Sequence, residues 1–416
     1  MNDSKKFAPG VKLVETVSSA GFRSYPGRNL TPAKLAGILR ELDQGYCRNA
    51  MELFSEMEEK DLHLATVMQT RITATASTLR RIVPASDTEE ARKHCDFISE
   101  VWEGVSGKTL ATHDILSSIG KGFSVTEMVF EVREGSLIVD ELKFCPQTLF
   151  TFLDDKSKGN LLEFPRYLPF GEAVGVELPR DKFIFHINRS AGGGLLQGGL
   201  YRGLAWYFLF TNYSIKDWMS FMDVYGIPLR LGKFKPSADE SSRATLKKAV
   251  QDLGSDAAAI ISEDTTIEFI ESRLAGSHDL FQNAVEFFNR QKSKRVLGQT
   301  LTTEHGQSGS YSLGNIHDRV RMDILRFDCA MLDETLTRDF IVPLIKANFG
   351  EQKVYPRFVS DFESRESKAN RLDDLKKLYE MGLPLPVSHL YASAGILPPS
   401  NADDVLQSKN KKGGLV

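Results

Sequence analysis

The sequence predicts a helix-rich α+β fold. Two observations carry this. Helical periodicity is sustained through three long stretches, 200–225, 278–297 and from Ile316 to about Arg338, and a set of short alternating segments lies between Gly122 and Ile187. Those segments are separated by Asp, Lys, Gly and Pro, as in an antiparallel sheet with polar loops.

Residues 1–30 mix Lys, Ser, Gly and Pro without a period and read as an arm, either mobile or ordered by a neighbour. Helices begin at Thr31-Pro32, an N-cap followed by proline in the first turn. In 50–72, Leu53, Met57, Leu64, Val67 and Met68 follow helical spacing, with a break at Lys60-Asp61. Thr78–Val83 reads as a strand and Thr88–Trp102 as a helix capped by Asp87. A short helix starts near Thr109. Gly122–Val132 and Ser136–Phe144 form a hairpin through the turn Glu134-Gly135. Thr148–Phe152, Phe164–Pro169 and Lys182–Ile187 add strands.

The run 200–225 repeats Leu204, Phe208, Ile215, Trp218, Met222 and Tyr225 and is aromatic on more than one side, so other elements or other chains must cover it. A small unit follows: strand Ile227–Lys233, helix Ser237–Leu253, and strands Ala258–Ser262 and Thr266–Glu271. His278–Leu297 is the second long helix. Ile316, Val320, Ile324, Phe327 and Met331 then define a third, about 35 Å long at 1.5 Å per residue. Pro343 kinks or restarts it. Val354–Val359 reads as a strand, and helices near Lys368–Met381 and Ser388–Ala394 precede a basic tail.

Length predicts two or three domains, and 41% apolar with 26% charged residues excludes wholesale disorder. A net charge of -3 excludes the strongly basic class of tight DNA binders. The four cysteines are scattered without CxxC, pointing to a reducing compartment and neither zinc nor a redox pair. The N-terminus lacks the apolar core of a secretory signal and Leu204–Phe210 is too short to span a bilayer, so neither export nor a membrane partner is expected.

No catalytic site is legible. The glycine-rich run 191–199 lies between a strand and a helix, the setting of a phosphate loop. However, it lacks the third glycine of GxGxxG, and Gly199-Leu200 stand where a P-loop needs Lys and Ser or Thr. It reads as a flexible connector, with a nucleotide-binding enzyme as the alternative. Ser308 and Ser310 lie near His305, but the surroundings are not GxSxG. The histidines show no metal-binding spacing.

The most unusual stretch is the loop Gly298–Gly314, which has no aliphatic residue except Leu301 and Leu313 and is flanked by two strong helices. A loop of this length inside a compact chain is functional or disordered. Lys292, Lys294 and Arg295 precede it, where cations also offset a helix dipole.

Four blocks, EMEEKDLHLATVMQTR, GFSVTEMVF, DWMSFMDVYGIPLRLGKF and LGQTLTTEHGQSGSYSLGNIHDRVRMDI, resemble the portal protein family of Mu-like tailed bacteriophages and prophages, in order and over about residues 31–405. The resemblance implies a ring of twelve subunits in the virion at one capsid vertex, through which double-stranded DNA is packaged and ejected. It implies no enzyme activity and no cofactor, and packaging energy from a separate ATPase. Terminase large subunit, head-tail adaptor, capsid and scaffold proteins are the implied partners, in the virion and in the bacterial cytoplasm during assembly.

By the same resemblance, 31–198 is a wing, 199–226 and 272–297 are two stem helices, and 227–271 is a clip that docks terminase and then adaptor. The tunnel loop is 298–314, 315–362 returns to the wing, and 363–416 holds a reduced crown and tail. Gln299, Thr300, Thr302, Thr303, Glu304, His305, Gln307, Ser308 and Ser310 would then face DNA, Lys292, Lys294 and Arg295 would line the channel, and Lys233, Lys235, Arg243, Lys247 and Lys248 would serve clip docking. A monomeric virion adaptor is a further alternative.

Overall fold

The computed structural model describes residues 12–14, 25–153, 161–169, 171–172, 174–189, 194–225, 230–234, 237, 239–252, 258–262, 277–300, 311–362 and 365–394. The chain divides into two compact units, Met1–Val359 and Ser360–Val416.

The first unit opens with three helices, α1 (Pro32–Asp43), α2 (Arg48–Lys60) and α3 (Leu62–Ala76). Thr31 caps α1 by accepting the Lys34 amide, and Asp61, the single residue between α2 and α3, caps α3 by accepting the Leu64 amide at 2.9 Å. The periodic apolar positions Leu53, Met57, Leu64, Val67 and Met68 are all buried. After strand β1 (Leu79–Val83), helix α4 (Glu89–Gly104) is capped by Thr88, whose hydroxyl accepts the Ala91 amide. The expected cap, Asp87, instead forms an exposed ion pair with Arg92, since the helix begins one residue later than its sequence pattern suggests.

Helices α5 (Lys108–Ile115) and α6 (Ser118–Lys121) lead to the hairpin of β2 (Phe123–Arg133) and β3 (Ser136–Cys145). Glu134 and Gly135 have φ of 51° and 81°, the paired positive values that a two-residue turn of matching twist requires. Strands β4 (Phe150–Leu153) and β5 (Leu161–Tyr167) pair with each other, while β6 (Phe183–Ile187) adds antiparallel to β2, giving the order β3-β2-β6. Phe123, Phe152, Phe164 and Phe185 meet ring to ring on this sheet.

Part of the arm is ordered by its own chain. The Glu127 carboxylate, fully buried on β2, accepts the amides of Leu13 and Val14 and pairs with Lys182 at 3.5 Å, while the Lys143 ammonium donates to the Val14 carbonyl. Val14 is fully buried, so the arm covers the ion pair.

The long helix α7 (Leu200–Tyr225) follows, then β7 (Arg230–Phe234), α8 (Glu240–Asp252) and β8 (Ala258–Ser262), with the two strands parallel. The strand expected at Thr266–Glu271 lies outside the described residues. Helices α9 (Ser277–Leu297) and α10 (Tyr311–Leu336) come next. A π-helical turn, Thr337–Ile341, joins α10 to α11 (Val342–Phe349), which has Pro343 in its first turn: the proline restarts the helix. The turn aims Asp339 at β6, where it accepts the Phe185 amide at 2.9 Å and pairs with Arg180 at 2.6 Å. Trp102 packs edge-on against Phe340 and Phe358, the latter in strand β9 (Arg357–Asp361). In the second unit, α12 (Arg365–Glu380) packs on α13 (Val387–Ala394).

The end of the glycine-rich run is not a flexible connector. A Cβ on Gly199 would stand 2.5 Å from the Gly120 carbonyl oxygen and 2.6 Å from the Gly122 nitrogen, and one on Gly198 would stand 2.6 Å from the Asn188 oxygen. Glycine is needed so that the start of α7 can lie against the backbone between α6 and β2. Gly199→Ala is expected to destabilise the fold by about 1–3 kcal/mol through overpacking, measured by urea unfolding. A change near zero would show that the backbones can part.

His186 on β6 is fully buried, with Nδ1 2.8 Å from the Thr335 hydroxyl. Burial, reinforced by Arg338 and opposed by Asp339, pushes its imidazole down from 6.5 to about 4. Between those values the unfolded chain binds a proton that the folded chain refuses, so stability is fully present above 6.5 and falls as pH drops through the window. The loss should reach up to about 3 kcal/mol, and His186→Gln should flatten that part of a plot of unfolding free energy against pH.

Candidate functional site

The polar loop is rooted in a rigid base. Helices α7 and α9 run antiparallel, with Tyr207 and Phe210 against Phe288 at one level and Phe221 against Phe281 at another. The last turns of α9 also lie on α3. Lys292 reaches Asp61 at 2.5 Å with both side chains buried, and Ser293 meets His63 at 2.7 Å. Desolvation pushes the Lys292 ammonium below its ordinary value, and Asp61 opposes the shift.

One turn on, Arg71 of α3 donates to the Val296 carbonyl at 2.9 Å and holds both oxygens of Asp328 on α10 at 2.7 and 2.9 Å. A bidentate guanidinium–carboxylate pair fixes orientation as well as distance. Arg71 therefore ties the helix entering the loop to the helix leaving it.

Gly298 ends α9 with φ of 71°, its amide donating to the Lys294 carbonyl. A Cβ there would stand 2.7 Å from Val320 and 3.2 Å from Ile324, so the chain leaves α9 pressed against α10. Only glycine meets both demands, a left-handed C-cap and a close approach.

This geometry corrects three expectations. Lys292 cannot line a channel: its side chain has no exposure, because Asp61 and the packing of α3 on α9 enclose it. Gln299, expected to face DNA, is buried at 4% exposure and belongs to the loop's root. The loop is shorter than 298–314, since α10 begins at Tyr311 and takes Ser312, Leu313 and Gly314 into its first turn. The sequence reading starts that helix at Ile316, where its apolar periodicity begins, and so misses the polar first turn.

Thr300 is half-buried; Thr302, Thr303, Glu304, His305, Gln307, Ser308 and Ser310 lie outside the described residues. Lys294 and Arg295 are exposed. In the insertion, Lys247 and Lys248 are exposed on α8 and Arg243 is half-buried, Lys233 lies on β7, and Lys235 falls outside the described residues. Asp61, Arg71 and Asp328, which anchor the loop, carried no functional signal in the sequence. Asp61 was visible only as a cap, and nothing linear relates Arg71 to a partner 257 positions away.

The two halves of α7 differ. Leu200, Tyr201, Leu204, Phe208 and Leu209 are buried in the core, whereas Phe210, Tyr213, Ile215, Met219 and Met222 are exposed. With Phe287 and Leu280 of α9, they are exposed apolar side chains on more than one side of the helix pair. Among the described residues no group of His, Cys, Asp or Glu is placed to hold a metal ion, and the four cysteines are buried and form no disulfide. No described helix is long and apolar enough to cross a membrane.

Two long helices flanking a small α/β insertion, followed by a third long helix, come in the order that the portal resemblance implies. The chain belongs to the portal protein family of Mu bacteriophage, whose model matches residues 51–396. It is 33% identical over 374 residues to Mu-like prophage FluMu protein gp29 of Haemophilus influenzae, covering 88% of this chain and 70% of that protein. It is 31% identical over 381 residues to the portal protein of Escherichia phage Mu, covering 91% and 73%. A chain from the neck of an empty GTA particle shares the fold, with a TM-score of 0.50 and 11% identity over 88% of this chain and 95% of that one.

Proposed function

We propose that this chain is the portal subunit of a Mu-like phage or prophage. Copies assemble into a closed ring at one vertex of the capsid, and double-stranded DNA passes through its centre during packaging and ejection. Membership of the portal family over residues 51–396 carries the reading. The exposed apolar side chains of α7 and α9 support it: neighbouring copies packed head-to-tail around a rotation axis would cover them from more than one side.

In such a ring the loop 301–310, repeated around the axis, faces DNA and water and narrows the channel. Polar, mostly uncharged side chains suit a surface along which phosphates must slide, since strong neutralisation of phosphate holds DNA in place. The insertion of β7, α8 and β8 is the docking platform for terminase and then for a head-tail adaptor, with Lys247 and Lys248 on its exposed face. Twelve copies form the virion ring, capsid and scaffold proteins surround it, and a separate ATPase supplies the energy.

Negative-stain imaging of the purified full chain should show rings with a central hole. Particles of single-subunit mass in mass photometry would overturn the ring and favour a monomeric adaptor. ATP hydrolysis lost on altering Gly198 and Gly199 in a variant that still folds would favour an enzyme.

A further inference from the structure

A cavity of about 190 Å³ opens between the C-terminal half of α4 and the β2–β3 hairpin. Its floor is apolar. Val101 and Val139 are buried, Ile138 is half-buried, and Phe97 packs edge-on against Phe349 with ring centroids 5.2 Å apart. Gly104 also lines it, and a Cβ there would meet nothing within 4 Å. The rim carries Glu100, Glu134 and Asp140 and a single cation, Arg133. That arginine is bonded to Glu131 at 2.7 Å and stands 3.9 Å from Asp140, so it offsets one carboxylate at most. The flanking cations are committed in the same way, Lys108 to Glu103 at 2.6 Å and Lys12 to Glu141 at 2.7 Å. Glu100 and Glu134 are exposed and pair with no cation among the described residues.

We propose that this cavity docks an arginine side chain presented by a segment of a partner protein. Sites for cofactors and metabolites take about 300–1,000 Å³, so a cavity of 190 Å³ has room for one side chain and not for a small-molecule ligand. An apolar floor under a charged rim selects the kind of side chain. Arginine and lysine lay their aliphatic stems along apolar surface and keep the charged head in water. Of the two, the guanidinium can hold two carboxylates through its planar fork and stack on the Phe97 ring. The surplus of carboxylates repels phosphate, which excludes nucleic acid as the occupant. The same edge of the hairpin already takes one cation from an extended segment: Lys12 of the arm donates to Glu141, 129 positions away in sequence. The site lies on α4, β2 and β3, which take no part in the root of the loop, and it does not require a ring.

The test uses the full chain and a fluorescent heptapeptide of glycine, serine and three arginines, with lysine and glutamine versions, read by anisotropy. The arginine peptide should bind, the lysine peptide several-fold more weakly, and the glutamine peptide not at all. Glu100→Gln combined with Glu134→Gln should weaken binding several-fold. Gly104→Leu, which fills the cavity and removes no charge, should weaken it as well. Glu89→Gln combined with Glu90→Gln removes two exposed carboxylates from the other end of α4 and should match wild type. Thermal unfolding midpoints confirm that each variant is folded.

A wild-type chain that binds no arginine peptide overturns the proposal, and so does equal binding of the glutamine peptide. Undiminished binding in Gly104→Leu overturns it too, because the site would then be surface charge without a cavity. Loss of an oligomer in the Glu100→Gln, Glu134→Gln variant, read by mass photometry, also overturns it and assigns the cavity to a contact between copies. A wild-type chain that binds the peptide and forms no ring sinks the portal reading and leaves this site standing.

Discussion

Lys292→Met should destabilise the protein by about 3–5 kcal/mol, the cost of leaving a buried carboxylate without its counter-charge. Lys292 has no exposure and Asp61 little, so water cannot replace the missing ammonium. The effect would appear as a lower urea midpoint with an unchanged slope. It should also loosen the packing of α3 on α9 in which the loop is rooted, and hydrogen exchange should quicken first in the last turns of α9. The double variant Asp61→Asn, Lys292→Met should recover most of the stability. It removes both charges together and leaves an amide oxygen to accept the Leu64 amide. A single variant as stable as wild type would show that solvent reaches the pair.

Deleting Glu304–Ser308 should impair DNA packaging or retention while folding and ring assembly persist. The deletion spares Gly298 and Gln299, which are packed into the root, and stops before Tyr311, where α10 begins. The tie from Arg71 to Val296 and Asp328 is also untouched, so the helices keep their relation without the loop. Rings counted by negative stain and genome content measured in particles separate the two effects. Particles with full genomes would remove the loop from the mechanism. Ring loss would place it in the interface between subunits.

The sequence was most informative where periodicity and punctuation agree. Thr31-Pro32, the one-residue break at Asp61, the Glu134-Gly135 turn and the two helices of 200–225 and 277–297 all follow from local rules, and the structure places them within a few residues. The resemblance in four blocks named the family. What could not be read was which charges are inside. Lys292 looked like any cation near a helix end, and only the approach of α3 makes it a buried half of an ion pair. Gly198 and Gly199 are similar: a glycine run signals that backbone comes close to something, but not whether that partner is a phosphate or, as here, another stretch of the same chain.

The register between the loop's two ends has a mechanical consequence. Gly298 is pressed against Val320, yet α10 already starts at Tyr311. Nine residues at 1.5 Å each carry the helix about 14 Å beyond the root. Its other end, from Asp328 to Leu336, is clamped in the core. The start of α10 thus stands at the tip of a cantilever, and its displacement under any load is governed by the bending stiffness of one helix.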